Sequence, residues 1–206
     1  MVFLCNPNNP TGQVVSKEAL LKLVRSTDAL IVVDEANIEF AGESLMRETQ
    51  HFENLIVVRT FSKAHGLAGM RIGYCVASQD LAYYLWRLRP PFVNTHLAQK
   101  AALVALQDQD HIRKTCAYVT REREYLMKEM IKRGFVVIPS RANCFLVRVT
   151  PIFESSTMCV KALEKRDCGV VNGTHFKGLG DEYIRVAPQR HEMNQAFLRV
   201  IDDITS

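Results

Sequence analysis

The sequence predicts an α/β fold, and three observations carry that expectation. Short apolar runs recur at residues 1–5, 29–34, 55–59 and 71–77. The run at 29–34 is continuous rather than alternating, as in a strand covered on both faces. Helical or irregular stretches separate the runs, which is the rhythm of strands joined by crossovers.

Taken in order, residues 1–5 read as a buried strand that ends in the turn formers Asn6-Pro7-Asn8-Asn9-Pro10-Thr11-Gly12. Ser16 can cap a helix through about Ser26, with Leu20, Leu21, Leu23 and Val24 facing inward. Residues 78–88 and 95–107 read as helices on either side of the breaker Arg89-Pro90-Pro91, with Trp86 packed into the core beside Leu85 and Leu88. A long amphipathic helix over 110–133 ends at Gly134, a residue suited to that place. Its run Arg121-Glu122-Arg123-Glu124 reads as a solvated face with local ion pairs. Beyond it come strands at 135–138 and 144–149, a helix near 154–166, a strand around 183–187 and a final helix over about 191–204. The change of rhythm puts a domain boundary inside the long helix, giving 1–114 with a mostly parallel sheet and 115–206 as a smaller α+β domain.

Composition narrows the function. The chain of 206 residues is 48% hydrophobic and 23% charged, as expected of a soluble globular protein. A net charge of +4 is spread among acidic residues, so neither a nucleic-acid stripe nor a polybasic membrane patch is expected. No apolar run approaches the length of a membrane span. The six cysteines show no paired spacing, and Cys5, Cys75 and Cys144 sit in apolar runs. They read as reduced small hydrophobes, which points to the cytoplasm. The histidines do not pair at ligand spacing, so no metal site is expected.

Chemistry concentrates in residues 57–74, VVRTFSKAHGLAGMRIGY. Lys63 lies in a polar turn after an apolar run, with Thr60 and Ser62 before it and Arg71 after. Such a set suits a phosphorylated aldehyde: the amine can form a Schiff base with the carbonyl carbon. The hydroxyls and the planar arginine fork can hold the phosphate. Asp34 ends the strand Ile31-Val32-Val33, and a carboxylate at the carboxyl end of a parallel strand lies where α/β folds bind ligands. Beside a pyridine nitrogen it would keep that nitrogen protonated and make the ring an electron sink. Glu35 reads as its structural neighbour. Asn9 is flanked by prolines, which hold its amide at one geometry, fit to bond the phenolic oxygen of a pyridoxal ring. Taken singly, each has an ordinary reading: a solvated Ser-Lys turn, a capping acid, an Asx turn.

Together, NPNNPTG at 6–12, VVDEANIEF at 32–40, RTFSKAHGLAGMRIGY at 59–74 and YIRVA at 183–187 resemble the fold-type I aminotransferases that use pyridoxal 5′-phosphate (PLP). Their wording looks most like the histidinol-phosphate aminotransferase branch, as do RPPFVNTHLAQKAALVAL at 89–106 and PSRANCFLVRV at 139–149. The resemblance implies a PLP-dependent transferase-like fold, with 1–114 as part of its large domain. It implies that Lys63 holds the cofactor and shuttles the proton, that Asp34 partners the pyridine nitrogen and Asn9 the ring hydroxyl. Thr60, Ser62 and Arg71 match phosphate positions, and Arg185 matches the arginine that grips the substrate's anionic end. The implied reaction moves an amino group between an amino-acid-like donor and a 2-oxo acid, in a homodimer.

Three departures qualify the match. Asn37 stands where the family usually has a tyrosine bonded to the ring oxygen. The stretch Val170-Val171-Asn172-Gly173-Thr174 lacks an arginine used for substrate phosphate, and Arg166 can serve only if its loop is rearranged. Phe176-Lys177-Gly178-Leu179 is similar to threonine-phosphate decarboxylase-like relatives. Finally, a large N-terminal portion of the family fold has no counterpart here, which implies assembly with a chain supplying it or, as the competing reading, a truncated non-catalytic fragment.

Overall fold

In the computed structural model, which describes residues 1–150 and 152–205, the apolar runs of the first half pair as one sheet. Its order is β1 (Val2–Cys5), β2 (Ile31–Asp34), β3 (Leu55–Thr60) and β4 (Gly73–Val76). The first three strands are parallel and β4 is antiparallel to β3. Cys5 pairs with Asp34 and Asp34 with Val58, so the carboxyl ends of three strands are nearly flush. The sheet is thus α/β and mostly parallel.

Helix α1 (Lys17–Arg25) makes the crossover from β1 to β2. Ser16 caps it by accepting the Ala19 N–H. Leu20, Leu21 and Val24 pack on Ile31, Val33, Leu55 and Val57, and each such side chain contributes about 1.5–3 kcal/mol when fully buried. Leu23 turns to solvent instead of the core, because it lies outside that stripe. The central strands are covered on both faces: Ile31, Val32 and Val33 are all buried. β1 is not the buried strand that its sequence suggested. It is an edge strand, paired on one side only, with Phe3 74% exposed.

After β4 come α2 (Gln79–Leu88) and α3 (His96–Gln107). No residue of α2 is buried, and Trp86 is 66% exposed, so the expected core tryptophan is a surface residue. Its indole carries the Arg89 guanidinium at 4.3 Å from the ring centroid. Apolar spacing marked the helix but could not say whether anything covers that face. α3 buries Ala98 and Ala102 against Phe61 and Ile72, a small cluster that backs the turn after β3.

The chain divides into two compact units: Met1–Asn8 with Val14–Cys116, and Asn9–Gln13 with Ala117–Ser206. Helix α4 (Gln109–Lys132) runs unbroken through the division at Cys116. It ends where Gly134 takes φ +84° and the Phe135 N–H reaches back to the Met130 carbonyl. In the second unit β5 (Val136–Val137), β6 (Phe145–Arg148), β7 (Val171–Asn172) and β8 (Tyr183–Val186) form an antiparallel sheet in the order β5-β6-β8-β7. Helices α5 (Ser156–Glu164) and α6 (His191–Thr205) complete the unit. Leu126, Met130, Phe145, Leu163, Ile184 and Ile201 are at the centre of its core.

Arg121-Glu122-Arg123-Glu124 is only half a solvated face: Arg121 and Glu124 are exposed and Arg121 pairs with Glu122, but the two middle residues are buried. Glu122 is 2% exposed and accepts hydrogen bonds from His191 Nδ1 (2.9 Å), Asn194 Nδ2 (3.0 Å) and Arg121 Nε (3.2 Å). Arg123 is also buried and donates to the Ala142 carbonyl at 2.9 Å. The reason is tertiary: α6 and the loop before β6 cover adjacent positions of α4, and each buried charge meets a partner there.

The segment Asn9–Gln13 joins the second unit through the Arg141 N–H, which donates to the Gly12 carbonyl at 2.8 Å. Gly12 has φ +69°, and a Cβ there would lie 1.7 Å from Ser140 Oγ. Gly12→Ala is therefore expected to destabilise the second unit by about 2–4 kcal/mol, read as a lower urea midpoint. Acid should do the same through Glu122. Burial pushes its carboxyl up, but the bonds from His191, Asn194 and Arg121 outweigh burial and hold it below its ordinary value. Its stabilisation is full above the ordinary carboxylate range and is lost as pH falls through the depressed folded value. Urea midpoints measured against pH should fall in that acid window, and Glu122→Gln should remove that component of the slope.

Candidate active site

In the first unit, the flush strand ends gather most of the chemistry-bearing residues. Asp34 closes β2 and is exposed. Its Oδ1 accepts the Ala36 N–H at 2.9 Å, and its Oδ2 carries no hydrogen bond among the described residues. Thr60 closes β3, two positions beyond Val58, the register partner of Asp34. The next turn alternates: Phe61 and Ala64 are buried anchors, whereas Lys63 is exposed. Backbone bonds fix it, from Phe61 N to Ile72 O (3.2 Å), Gly66 N to Lys63 O (2.9 Å) and Leu67 N to Phe61 O (2.9 Å). The Lys63 ammonium makes no ion pair or hydrogen bond among the described residues. Thr60 Oγ1 accepts the Ser62 N–H at 3.1 Å, which leaves its hydroxyl proton free to donate.

Arg71 comes to the same sheet end from the other side, because Gly73 at the start of β4 pairs with Thr60. Arg71 has φ 50° and donates to the Ala68 carbonyl at 2.8 Å, which sets its guanidinium over the turn. A Cβ on Gly73 would lie 2.6 Å from the Arg59 carbonyl, so this close approach of β4 to β3 requires glycine.

Asn37 lies just past Asp34, at the start of the 3-10 turn Ile38–Phe40. It is 5% exposed, and its Oδ1 is buried with no partner. Asn9 and Arg185 belong to the second unit, where Arg185 Nη1 donates to Asn9 Oδ1 at 3.0 Å. Arg185 is half-buried rather than enclosed, and its guanidinium lies 5.4 Å from the Phe176 ring centroid. A cavity of about 300 Å³, lined largely by apolar side chains including Val170, Met193 and Phe197, opens beside Arg185. Arg166 is not among its lining residues. Asn172, in the stretch without an arginine, is spent on bonds to Ser156, Thr157 and Thr174.

Sequence reasoning gave no role to Arg59, Glu39 or Ser44. Arg59 Nη2 donates to Glu39 Oε1 at 2.6 Å, and its Nη1 lies 3.4 Å from Ser44 Oγ and 3.6 Å from Glu35 Oε2. Glu35 is 1% exposed and accepts from Ser44 Oγ (2.5 Å) and the Leu45 N–H (2.6 Å). Burial nonetheless pushes its carboxyl up, against the opposing bonds and the Arg59 charge. The available signal was two glutamates flanking Asn37 and an arginine ending the next apolar run. Nearby, burial depresses His65, whose Nδ1 has no partner.

Among the described residues no group of His, Cys, Asp and Glu could hold a metal ion, and no helix is long and apolar enough to cross a membrane.

The sequence profile of the aminotransferase class I and II family matches residues 1–201. The chain is 37% identical over 213 residues to histidinol-phosphate aminotransferase of Methanocaldococcus jannaschii, covering 100% of this chain and 56% of that protein. Identity to the Methanothermobacter thermautotrophicus histidinol-phosphate aminotransferase is 40%, covering 99% of this chain and 55% of the relative. The crystal structure of histidinol-phosphate aminotransferase from Clostridium acetobutylicum matches with a TM-score of 0.92 at 28% identity, covering 98% of this chain and 63% of that one. L-threonine-O-3-phosphate decarboxylase from Porphyromonas gingivalis matches with a TM-score of 0.88 at 28% identity, with the same coverage of 98% and 63%. The chain thus spans a little over half the length of the curated relatives it matches.

Adjacent carboxylates at the site should respond oppositely to mutation. Asp34→Asn removes an exposed charge with one local bond, so stability should stay within about 0.5 kcal/mol of wild type. Glu35→Ala strips the acceptor from Ser44, the Leu45 N–H and Arg59, and should cost about 2–3 kcal/mol. Urea unfolding of the two variants checks the contrast.

Proposed function

Because the chain belongs to the aminotransferase class I and II family, we propose that it carries the cofactor-anchoring part of a PLP-dependent aminotransferase of the histidinol-phosphate type. The reaction is transfer of an amino group between an amino-acid-like donor and a 2-oxo acid. One observation carries the reading: Asp34, with one open oxygen, and Lys63, whose amine has no bonding partner among the described residues, stand at and just past the carboxyl ends of adjacent parallel strands.

The residues present fit the cofactor. Asp34 keeps Oδ2 open, Thr60 keeps a hydroxyl proton to donate, and Asn37 holds a buried polar atom that nothing in the described chain satisfies. When bound, PLP supplies an electron sink conjugated to the substrate α-carbon. Asp34 is the acceptor for the pyridinium N–H and keeps it protonated by its negative charge. Lys63 Nζ would hold the cofactor covalently and would carry the proton to and from the substrate α-carbon. Thr60 and Ser62 donate to phosphate oxygens, and Arg71 supplies the opposing charge. Arg185 receives the substrate's anionic end. Asn9 is assigned to the ring hydroxyl; with Oδ1 engaged by Arg185, it donates through Nδ2.

The reading includes a cytoplasmic protein that works as a homodimer or with a chain supplying the rest of the fold. Residues 1–114 are read as part of the large domain and 115–206 as the small one. Decarboxylation on the same cofactor is the second reading, favoured by the structural likeness to the Porphyromonas decarboxylase and by the run Phe176-Lys177-Gly178-Leu179.

Pyridoxal phosphate added to the purified chain should give a yellow complex that survives gel filtration. Borohydride reduction and peptide mapping should then place the label on Lys63, and Lys63→Ala should stay colourless. Label scattered over surface lysines, or no colour with wild type, would sink the reading in favour of a non-catalytic fragment.

A further inference from the structure

A buried guanidinium is best satisfied by two parallel bonds to one carboxylate. Arg59 does not do this. Its Nη2 takes Glu39 at 2.6 Å, while its Nη1 faces Ser44 at 3.4 Å and Glu35 at 3.6 Å. The division leaves Arg59 Nε and Glu39 Oε2 buried with no partner. An arrangement serving stability alone would have closed the fork on one glutamate and left neither atom unmatched.

What the divided grip gains is reach. Glu35 directly follows Asp34, and Glu39 comes two residues after Asn37. Arg59 directly precedes Thr60 on the strand that leads to Lys63. Backbone bonding ties Glu35 N to Val58 O at 2.9 Å, whereas the N–H groups of Ile38, Phe40 and Ala41 donate to Glu35, Asn37 and Ile38 within their own turn. The Cys116 thiol also reaches this turn, donating to the Glu39 carbonyl at 3.3 Å.

We propose that Arg59 is a positioning residue for the cofactor pocket: by pairing with Glu35 and Glu39 on either side of Asn37, it holds the turn bearing Asn37, just past Asp34, against the strand leading to Lys63. The proposal rests on the reading that this pocket takes PLP. The grip explains how Asn37 is held buried with its Oδ1 unmatched, a placement that the turn's own hydrogen bonds do not enforce. A lysine is no substitute, because a single ammonium cannot span two carboxylates on separate elements as a planar fork does.

The test uses the full chain as wild type, Arg59→Lys, Glu39→Gln and, as a control in the other unit, Arg133→Met, which breaks the ion pair to Asp202. PLP affinity and the induced circular dichroism of the bound cofactor are measured at a temperature where each protein is folded. Hydrogen exchange at residues 37–41 is followed without cofactor. Arg59→Lys should weaken retention by about ten-fold or more, change the induced signal and speed exchange at Ala41. Glu39→Gln should do the same to a smaller degree, and Arg133→Met should lower the melting temperature with none of these effects.

Wild-type affinity and induced signal in folded Arg59→Lys overturn the proposal, as does an equal loss in Arg133→Met. If Arg59→Lys does not fold, an unchanged Glu39→Gln overturns it. A wild type that takes up no cofactor defeats the functional reading and this proposal with it. Uptake by wild type with unaffected variants defeats this proposal alone.

Discussion

The parallel register of β2 with β3 is the constraint on which the rest of the first unit depends. Asp34 stands opposite Val58, and the two chains leave the sheet within two residues of each other. A slip of one position would take Ile31 and Val33, or Leu55 and Val57, off Leu20, Leu21 and Val24 of α1, so the packing of that cluster enforces the pairing. The polar residues inherit that precision. Asp34 and Thr60 need no contact with each other to be placed together, because the strands beneath them cannot move independently. β4, antiparallel and brought close by Gly73, returns Arg71 to the same end.

Two clusters of buried charge tie distant segments together. Arg59 sits between two glutamates in the first unit, and Glu122 gathers His191, Asn194 and Arg121 in the second. Both clusters join segments far apart in sequence. Buried ion pairs add little net stability compared with apolar packing of the same volume. Their contribution is to make alternative placements of the joined segments expensive.

Much of the fold was readable in the sequence where a local rule decides. Ser16 and Gly134 bound helices because a side-chain oxygen satisfies a free N–H and a glycine accepts positive φ. The continuous apolar run ending at Asp34 reads as a doubly covered strand, and it is one. What could not be read depends on partners distant in the chain. Nothing local tells a covered Trp86 from an exposed one, or a solvated Glu122 from a buried one. β7, two residues long, is too short for a periodic signal. At the site the residue types at 34, 60, 62, 63 and 71 stand out as a pattern, but their common sheet end follows from register. The bond from Arg185 to Asn9 spans 176 positions and leaves no trace in either motif.

The free side of β1 has a practical meaning for anyone handling the protein. Its outward amides and carbonyls form a ladder with no rung-mate among the described residues, and Phe3 beside them offers an oily surface. Two copies meeting there can zip together by strand addition, so turbidity and sedimentation will track protein concentration rather than folding alone.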